Sequence, residues 1–351
     1  MQAVSFRIGY LDRPADQAFL DTAAGLPGLE VLRIASDLPD AELLARLAAC
    51  HGYYVTSARD EVPHRWHVSA DLLAQLPRLL LAVSYGAGFD TIDAAACTAA
   101  GVAVVNQAGG NAEAVAEHAL ALIIALRKRV PEAHAAMRAG AAGRREDFMG
   151  RDLAGATVGL VGLGHAGTRA AQLLAAFRCR VLAVDPFLDA AECARRGAAK
   201  VELPELLARS EVVSLHCPLD ASTRGLFGAK AFAAMRPGTV FVSTARGGIH
   251  DEAALHAALQ SGHLGGAGLD VWEREPPPAD HPLLHHPRVL ASPHTAGVTW
   301  ESRSAIGRMA AEAFAAAARG ALPPRLVNPA VADRFQSRWH ATFGPAAPAA
   351  G

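Results

Sequence analysis

Two groups of residues in this chain are of types that could do chemistry together. The first is the turn Gly162-Leu-Gly-His-Ala-Gly167, entered by the apolar run Ala156-Thr-Val-Gly-Leu-Val161 and followed by Asp185 at the close of Val181-Leu-Ala-Val184. Gly162 permits a tight bend, Gly164 lets an anion approach bare backbone, and Gly167 lets the next helix pack close to the strand. Free N–H groups and the positive dipole end of that helix would face a pyrophosphate. Asp185 stands eighteen positions after Gly167. A carboxylate there accepts hydrogen bonds from an adenosine ribose diol and repels a ribose 2′-phosphate, so the expected cofactor is NAD rather than NADP. The second group is a guanidinium, a carboxylate and an imidazole. Arg246 follows Phe241-Val-Ser-Thr-Ala245, Glu275 lies five positions after Asp270, and His294 follows Leu290-Ala-Ser-Pro293. Singly these read as a surface cation, a loop acid and a capping residue. At the ends of strands of one sheet they can converge on one cleft.

The elements that must position them alternate. Val4 to Tyr10, Glu30 to Ile34, Gly52 to Ser57, Leu79 to Ser84 and Val102 to Val105 read as strands, with helices over Pro14 to Ala24, Asp40 to Ala49 and Asp71 to Leu76. This is the rhythm of a small parallel sheet. Tyr85-Gly-Ala-Gly-Phe-Asp90 forms a glycine loop at a strand's C-terminal end, either a plain tight turn or a set of N–H groups offered to a carboxylate. The charged, aromatic stretch Arg59 to His67 reads as an exposed connection or as a lid over a site. A long amphipathic helix is expected from Ala112 to Arg129. Its Glu117 and His118 suggest an acid/base pair, but adjacent helix positions diverge, which favours a capped or solvated face. Gly140 to Asp152 reads as a connector.

From Ala156 to Pro293 strands and helices alternate again, with strands at Val158 to Val161, Val181 to Val184, Glu211 to Leu215, Thr239 to Ser243, Gly265 to Asp270 and Val289 to Ala291, and a helix over Thr168 to Phe177. Thr299 to Arg319 is a last long helix. The fold class expected is α/β, with two Rossmann-like doubly wound parallel-sheet domains. An NAD-binding domain, 106–297 with its linker helix, is inserted into a discontinuous substrate domain, 1–105 and 298–330, and the two are joined by crossing helices around a cleft. The segment 331–351 reads as a disordered tail.

Composition narrows the class. At 351 residues the chain suits two domains of about 150 residues. With 51% hydrophobic and 19% charged residues it is globular. A net charge of −1 gives no electrostatic footprint for nucleic acid. Cys50, Cys97, Cys179, Cys193 and Cys217 are scattered, odd in number and without metal-ligand spacing, so neither a disulfide framework nor a metal site is expected. With no leader pattern and no apolar run of membrane-spanning length, a soluble cytoplasmic chain is expected.

Taken in order and spacing, Gly162-Leu-Gly-His-Ala-Gly167, Leu215-His-Cys-Pro-Leu219, Thr244-Ala-Arg-Gly-Gly248, Gly268-Leu-Asp-Val-Trp-Glu-Arg-Glu-Pro276 and Ser292-Pro-His-Thr-Ala296 resemble the D-isomer-specific 2-hydroxyacid dehydrogenase family. The resemblance runs from about Gly52 to Pro329. It implies that Arg246 binds substrate, His294 is the acid/base and Glu275 orients the histidine. A planar guanidinium fork suits the carboxylate and carbonyl of a 2-oxo acid. Among side chains it is histidine whose unperturbed pKa lies near neutrality, so it can protonate a carbonyl oxygen and remove that proton in reverse. A neighbouring carboxylate favours the charged imidazole and fixes its tautomer.

The resemblance also implies backbone contacts from Tyr85 and Gly86 to the substrate carboxylate. It arranges His165, Ala166, Asp185, Cys217, Pro218, Thr244, Ala245, Asp270 and Gly297 around NAD, with Cys217 a pocket wall rather than a nucleophile. Phosphoglycerate-oxidising relatives carry arginines near the positions of Thr56 and Ser84, and formate-oxidising relatives a glutamine at that of Glu275. A small unphosphorylated 2-oxo acid such as glyoxylate or hydroxypyruvate is therefore expected, with Arg65, Trp66 or His67 as a possible added substrate contact. A phosphoglycerate-type dehydrogenase and a nucleotide-sensing corepressor-like protein are the alternatives, and the family implies a homodimer with the Ala112–Arg129 helix as a contact.

Overall fold

The computed structural model describes residues 5–141 and 143–344, in two compact units, one of 1–111 with 299–351 and one of 112–298. The first unit runs β1 (Phe6–Leu11), α1 (Gln17–Ala24), β2 (Leu29–Ile34), α2 (Asp40–Ala48), β3 (Gly52–Val55), α3 (Ala70–Leu73), β4 (Leu81–Ser84), α4 (Ala94–Ala100) and β5 (Ala103–Val105). The second comprises α5 (Ala112–Arg127), α6 (Val130–Arg138), β6 (Thr157–Val161), α7 (His165–Ala176), β7 (Arg180–Val184), α8 (Ala190–Arg195), β8 (Ala199–Lys200), α9 (Leu203–Arg209), β9 (Val212–Leu215), α10 (Ala229–Ala234), β10 (Thr239–Ser243), α11 (Glu252–Gln260), β11 (Leu264–Leu269) and β12 (Val289–Ala291). The chain returns to the first unit with α12 (Trp300–Ala318) and α13 (Ala332–Phe343).

Both sheets are wholly parallel. The first has the order β2-β1-β3-β4-β5, the second β12-β11-β10-β9-β6-β7-β8. Each reverses direction beside its first strand, between β1 and β3 and between β6 and β9, and ligands of open α/β sheets bind at the strand C-termini near such points. The central strands read Val, Leu, Ile and Phe without alternation because helices cover both faces; every residue of β4, β6, β9 and β10 is buried. In the first unit the rings of Phe19, Tyr54 and Phe314 pack α1, β3 and α12 together, at centroid separations of 4.5 Å for Phe19 with Tyr54 and 6.0 Å for Phe19 with Phe314. Side-chain caps start several helices: Asp16 on α1, Asp93 on α4, Asp251 on α11 and Thr299 on α12.

Several expectations are corrected. The helix expected at Thr168 begins three residues earlier, at His165. The first turn of a helix needs no intrahelical acceptor for its N–H groups, so Gly167 is tolerated inside it. Helices α4 and α6 and the two-residue strand β8 were not expected; all are short, and α6 buries none of its residues. The Arg59–His67 stretch is not a plain exposed connection. Trp66 is 4% exposed in the core over β3, Tyr53 donates its hydroxyl to the Trp66 carbonyl at 3.2 Å, Arg65 pairs with Asp40 at 3.0 Å, and the His67 ring bonds the Val62 carbonyl.

The expected disordered tail is in part a packed helix. Phe335 and Trp339 of α13 are buried, and the Trp339 indole donates to the Ala317 carbonyl at 2.7 Å. Asn328 accepts from the Val104 N–H and donates to the Val102 carbonyl, which covers edge strand β5. Residues 345–351 of the expected tail lie outside the described residues. Among the described residues no helix is long and apolar enough to cross a membrane.

Candidate active site

The nucleotide turn leaves β6 and enters α7. Gly162 has φ +94°, and a Cβ there would stand 2.7 Å from the Cys217 backbone nitrogen; a Cβ on Gly167 would stand 2.2 Å from the Gly162 carbonyl oxygen. At Gly164 a Cβ would meet no atom within 4 Å. The turn is therefore closed against the protein at its first and third glycines and open at its second. Gly164 is the N-cap of α7 and supplies no side-chain bond to the helix start, so N–H groups of the first turn face outward beside exposed His165. That is the cradle a pyrophosphate fits.

Asp185, just past β7, accepts from the Leu163 N–H at 2.9 Å and from the Phe187 N–H at 3.0 Å. Each carboxylate oxygen retains a lone pair for a ribose hydroxyl, and the Leu163 bond ties the acid to the glycine turn. Cys217 and Pro218 follow β9, and burial pushes the Cys217 thiol up to about 11. At neutral pH such a thiol is no nucleophile. Thr244 and Ala245 leave β10 buried, and the Thr244 hydroxyl has no hydrogen-bond partner among the described residues, an open polar atom at the same sheet edge.

Two of the three chemically distinct residues meet, and the charge of the third acts on them. His294 Nδ1 lies 2.7 Å from Glu275 Oε2, with the imidazole 38% and the carboxylate 27% exposed. The other Glu275 oxygen accepts the Trp272 N–H at 3.0 Å. Burial alone would raise the Glu275 carboxyl, but the hydrogen bond and charge of His294, the Trp272 N–H and the positive charge of Arg246 outweigh it and hold the group below its ordinary value. Glu275 is thus a carboxylate that fixes Nδ1 as the protonated ring nitrogen and leaves Nε2 for chemistry.

Residues with no expected role hold this arrangement. The Trp272 indole donates to the Ser292 carbonyl at 3.1 Å, and a Cβ on Gly247 would stand 1.8 Å from the Trp272 carbonyl oxygen. Trp272 therefore joins the exit of Arg246 from β10, the Glu275 loop and the His294 loop. Glu252 and Glu273 exchange bonds between each other's side chains and backbone N–H groups, tying that loop to α11. Asp270 was expected around NAD, but it is 1% exposed and its carboxylate accepts from Ser292 Oγ at 2.6 Å, Thr295 N at 2.8 Å and Ala296 N at 2.9 Å. Its task in this structure is to shape the turn that bears His294. His118 is likewise no solvated helix face: Glu117 is exposed, whereas the His118 ring reaches Ser292. Gly297 continues the same turn toward α12.

Tyr85 and Gly86 lie in the other unit, at the C-terminal end of β4. The Tyr85 hydroxyl donates to the Arg13 carbonyl at 2.7 Å, and Gln107 holds the glycine loop from beneath through the Gly86 and Ser84 carbonyls. Beside that loop, where the first sheet reverses order, is a cavity of about 220 Å³ lined by Arg13, Tyr54, Thr56, Glu61 and Tyr85 among others. The Thr56 hydroxyl donates to the Glu61 carboxylate.

Residues 120–296 match the model for the NAD-binding domain of D-isomer specific 2-hydroxyacid dehydrogenases. The chain belongs to that family. Like its relatives, this family member carries an NAD-binding domain, whose glycine turn and Asp185 are described above. It is 42% identical over 246 residues to the (S)-sulfolactate dehydrogenase of Chromohalobacter salexigens, covering 70% of this chain and 79% of that one. It is 39% identical over 293 residues to the D-3-phosphoglycerate dehydrogenase of Mycobacterium tuberculosis, covering 83% of this chain and 54% of the relative, so it spans about half the length of such enzymes. Among solved structures, a glyoxylate reductase from Paecilomyes thermophila superposes with a TM-score of 0.80 at 28% identity, over 92% of this chain and 98% of that one.

Proposed function

We propose that this family member is an NAD-dependent oxidoreductase that interconverts a small, unphosphorylated 2-oxo acid and the corresponding D-2-hydroxy acid. The observation that carries this reading is the His294–Glu275 pair at 2.7 Å with the charge of Arg246 acting on the same carboxylate. Bound NADH supplies the hydride. Arg246 holds the substrate carboxylate and carbonyl oxygen in its fork. His294, oriented by Glu275, donates an Nε2 proton to the carbonyl oxygen as that oxygen gains negative charge, and takes it back in the oxidative direction. Glu275 stays ionised throughout and stabilises the imidazolium. The residues suited to hold the cofactor are Gly162, Gly164, His165, Ala166 and Gly167 at its pyrophosphate and Asp185 at its ribose, with Cys217, Pro218, Thr244, Ala245 and Gly297 around the remainder.

The identity to phosphoglycerate dehydrogenases favours a second reading, with a phosphorylated substrate. Against it stands the Thr56–Glu61 contact: a position that would need a cation for a phosphate dianion instead places a carboxylate at the cavity. A panel of 2-oxo acids with NADH tests both. Glyoxylate, hydroxypyruvate or a short-chain homologue should be reduced at least about tenfold more efficiently than a phosphorylated 2-oxo acid, a modest charge discrimination of about 1.4 kcal/mol. In the same assay NADPH should be at least about tenfold poorer than NADH, because Asp185 meets its 2′-phosphate. Reduction of no acid on the panel rejects the enzyme, and preference for the phosphorylated acid rejects the substrate class.

We further propose a homodimer. The expected contact helix α5 buries Ala116, Ala119 and Ile123 in the core of its own unit, whereas in α6 and just beyond it Val130, Met137 and Met149 are exposed apolar residues that a second copy would cover. Light scattering after size exclusion should give twice the monomer mass, and Met137→Glu should shift it toward the monomer.

A further inference from the structure

We propose that His118 is a positioning residue for the reaction, acting through the hydroxyl of Ser292 on the turn that carries His294. This rests on the acid/base reading of His294 given above. The observation is a chain of hydrogen bonds that crosses from α5 to the far edge of the sheet. His118 Nε2 lies 3.0 Å from Ser292 Oγ, and Ser292 Oγ lies 2.6 Å from Asp270 Oδ1. The direction of the chain follows from proton counting. A carboxylate only accepts, so Ser292 spends its one proton on Asp270, and its oxygen can only accept from His118. His118 is therefore the tautomer with hydrogen on Nε2 and donates it to Ser292.

At the other end, Asp270 carries the backbone of His294 and of the two residues after it. Its carboxylate accepts the Thr295 and Ala296 N–H groups, and its carbonyl accepts the His294 N–H at 2.8 Å. The turn needs this support because His294 has φ +55°, a left-handed conformation that a residue with a Cβ adopts at a cost. The buried Asp270 carboxylate, with three donors to arrange between two oxygens, is held in one orientation only while Ser292 points at it. His118 fixes where Ser292 points. His118 is 28% exposed and 3.8 Å from Asp270 Oδ1, so it is a support on the accessible side of an otherwise buried network.

The test compares His118→Ala, His118→Gln and His118→Glu with Ser292→Ala and the His118→Ala/Ser292→Ala double variant. Glutamine can place an amide donor near the original Nε2, while glutamate cannot donate. In the cofactor-free chain, hydrogen exchange of the Thr295 and Ala296 amides should quicken about tenfold in His118→Ala and Ser292→Ala, with exchange in β6 and β9 unchanged. Turnover with the best acid of the panel should fall about tenfold with the KM for NADH unchanged, His118→Gln should recover to within about twofold, and His118→Glu should not. The double variant should be no worse than either single one, because both cut the same chain. Unchanged exchange at Thr295 and Ala296, additive losses in the double variant, or equal failure of the glutamine and glutamate variants would overturn the proposal. If the wild-type chain reduces no acid, the oxidoreductase reading falls, while the exchange data still decide whether His118 holds the turn.

Discussion

Replacing His294 by alanine should lower turnover of a reducible 2-oxo acid by about 10²–10⁴-fold while the affinity for NADH stays within about twofold, the usual span for loss of a positioned proton donor. The expectation rests on position. His294 sits beyond β12 on a turn held by Asp270, and its ring bonds Glu275 rather than any residue of the glycine turn between β6 and α7. Removing the imidazole leaves the Gly162–Gly167 cradle and Asp185 untouched, so cofactor binding should survive, and without a proton to meet the developing alkoxide the hydride step becomes slow. Glu275→Gln should be milder, since a glutamine carbonyl can still accept the Nδ1 proton and orient the ring but carries no charge to stabilise the imidazolium of the reaction. Stopped-flow reduction with saturating NADH separates the step from product release. Loss of NADH binding in step with turnover would show that His294 belongs to the cofactor site instead.

Arg246→Ala should act on the other half of the problem. A fork that pairs with the acid's carboxylate cannot be replaced by water without leaving that charge unmatched in a partly enclosed site. Truncating one member of such a pair costs about 2–5 kcal/mol, or roughly 30-fold to several thousand-fold in kcat/KM. Most of the loss should appear as a raised KM for the acid. Arg246→Lys should recover little, because a point charge cannot engage carboxylate and carbonyl together. Because the guanidinium also helps depress the Glu275 carboxyl, its removal should in addition weaken the charged His294–Glu275 pair, and the double variant Arg246→Ala/Glu275→Gln should lose less than the sum of the single variants. Initial-rate titrations of acid at fixed NADH, with NADH binding followed by fluorescence, distinguish this from a general collapse of the site.

How much of this was legible beforehand depended on distance along the chain. The strands that end at Val161, Ser243 and Leu269 announced themselves as short apolar runs, because a parallel strand covered on both faces has no polar side to alternate with. The glycine turn was legible for a steric reason that is local to it. Helix α13 had a readable signal in Phe335, Trp339 and Phe343, spaced four apart, which the Ala- and Pro-rich residues after it obscured. Trp66 was misjudged because its charged neighbours suggest solvent, whereas Arg65 turns outward to Asp40 and the indole turns into the core. His118 was set aside on a sound rule about adjacent helix positions. The rule says that Glu117 and His118 diverge, and cannot say that one of the two faces Ser292.

The sequence by itself determined what depends on neighbours in the chain: the alternation of strand and helix, the glycine turn, the acid that follows it, and the order of residues that identifies the family. The tertiary structure alone decided which of the polar residues meet. Glu275 and His294 are 19 positions apart, Asp270 and Ala296 are 26 apart, and His118 and Ser292 are 174 apart. Steric limits on a turn act within a few residues and leave a pattern in the sequence. A hydrogen bond between distant residues depends on sheet order, on which face of α5 meets β11, and on the left-handed twist of one residue at His294, and no local spacing encodes any of these.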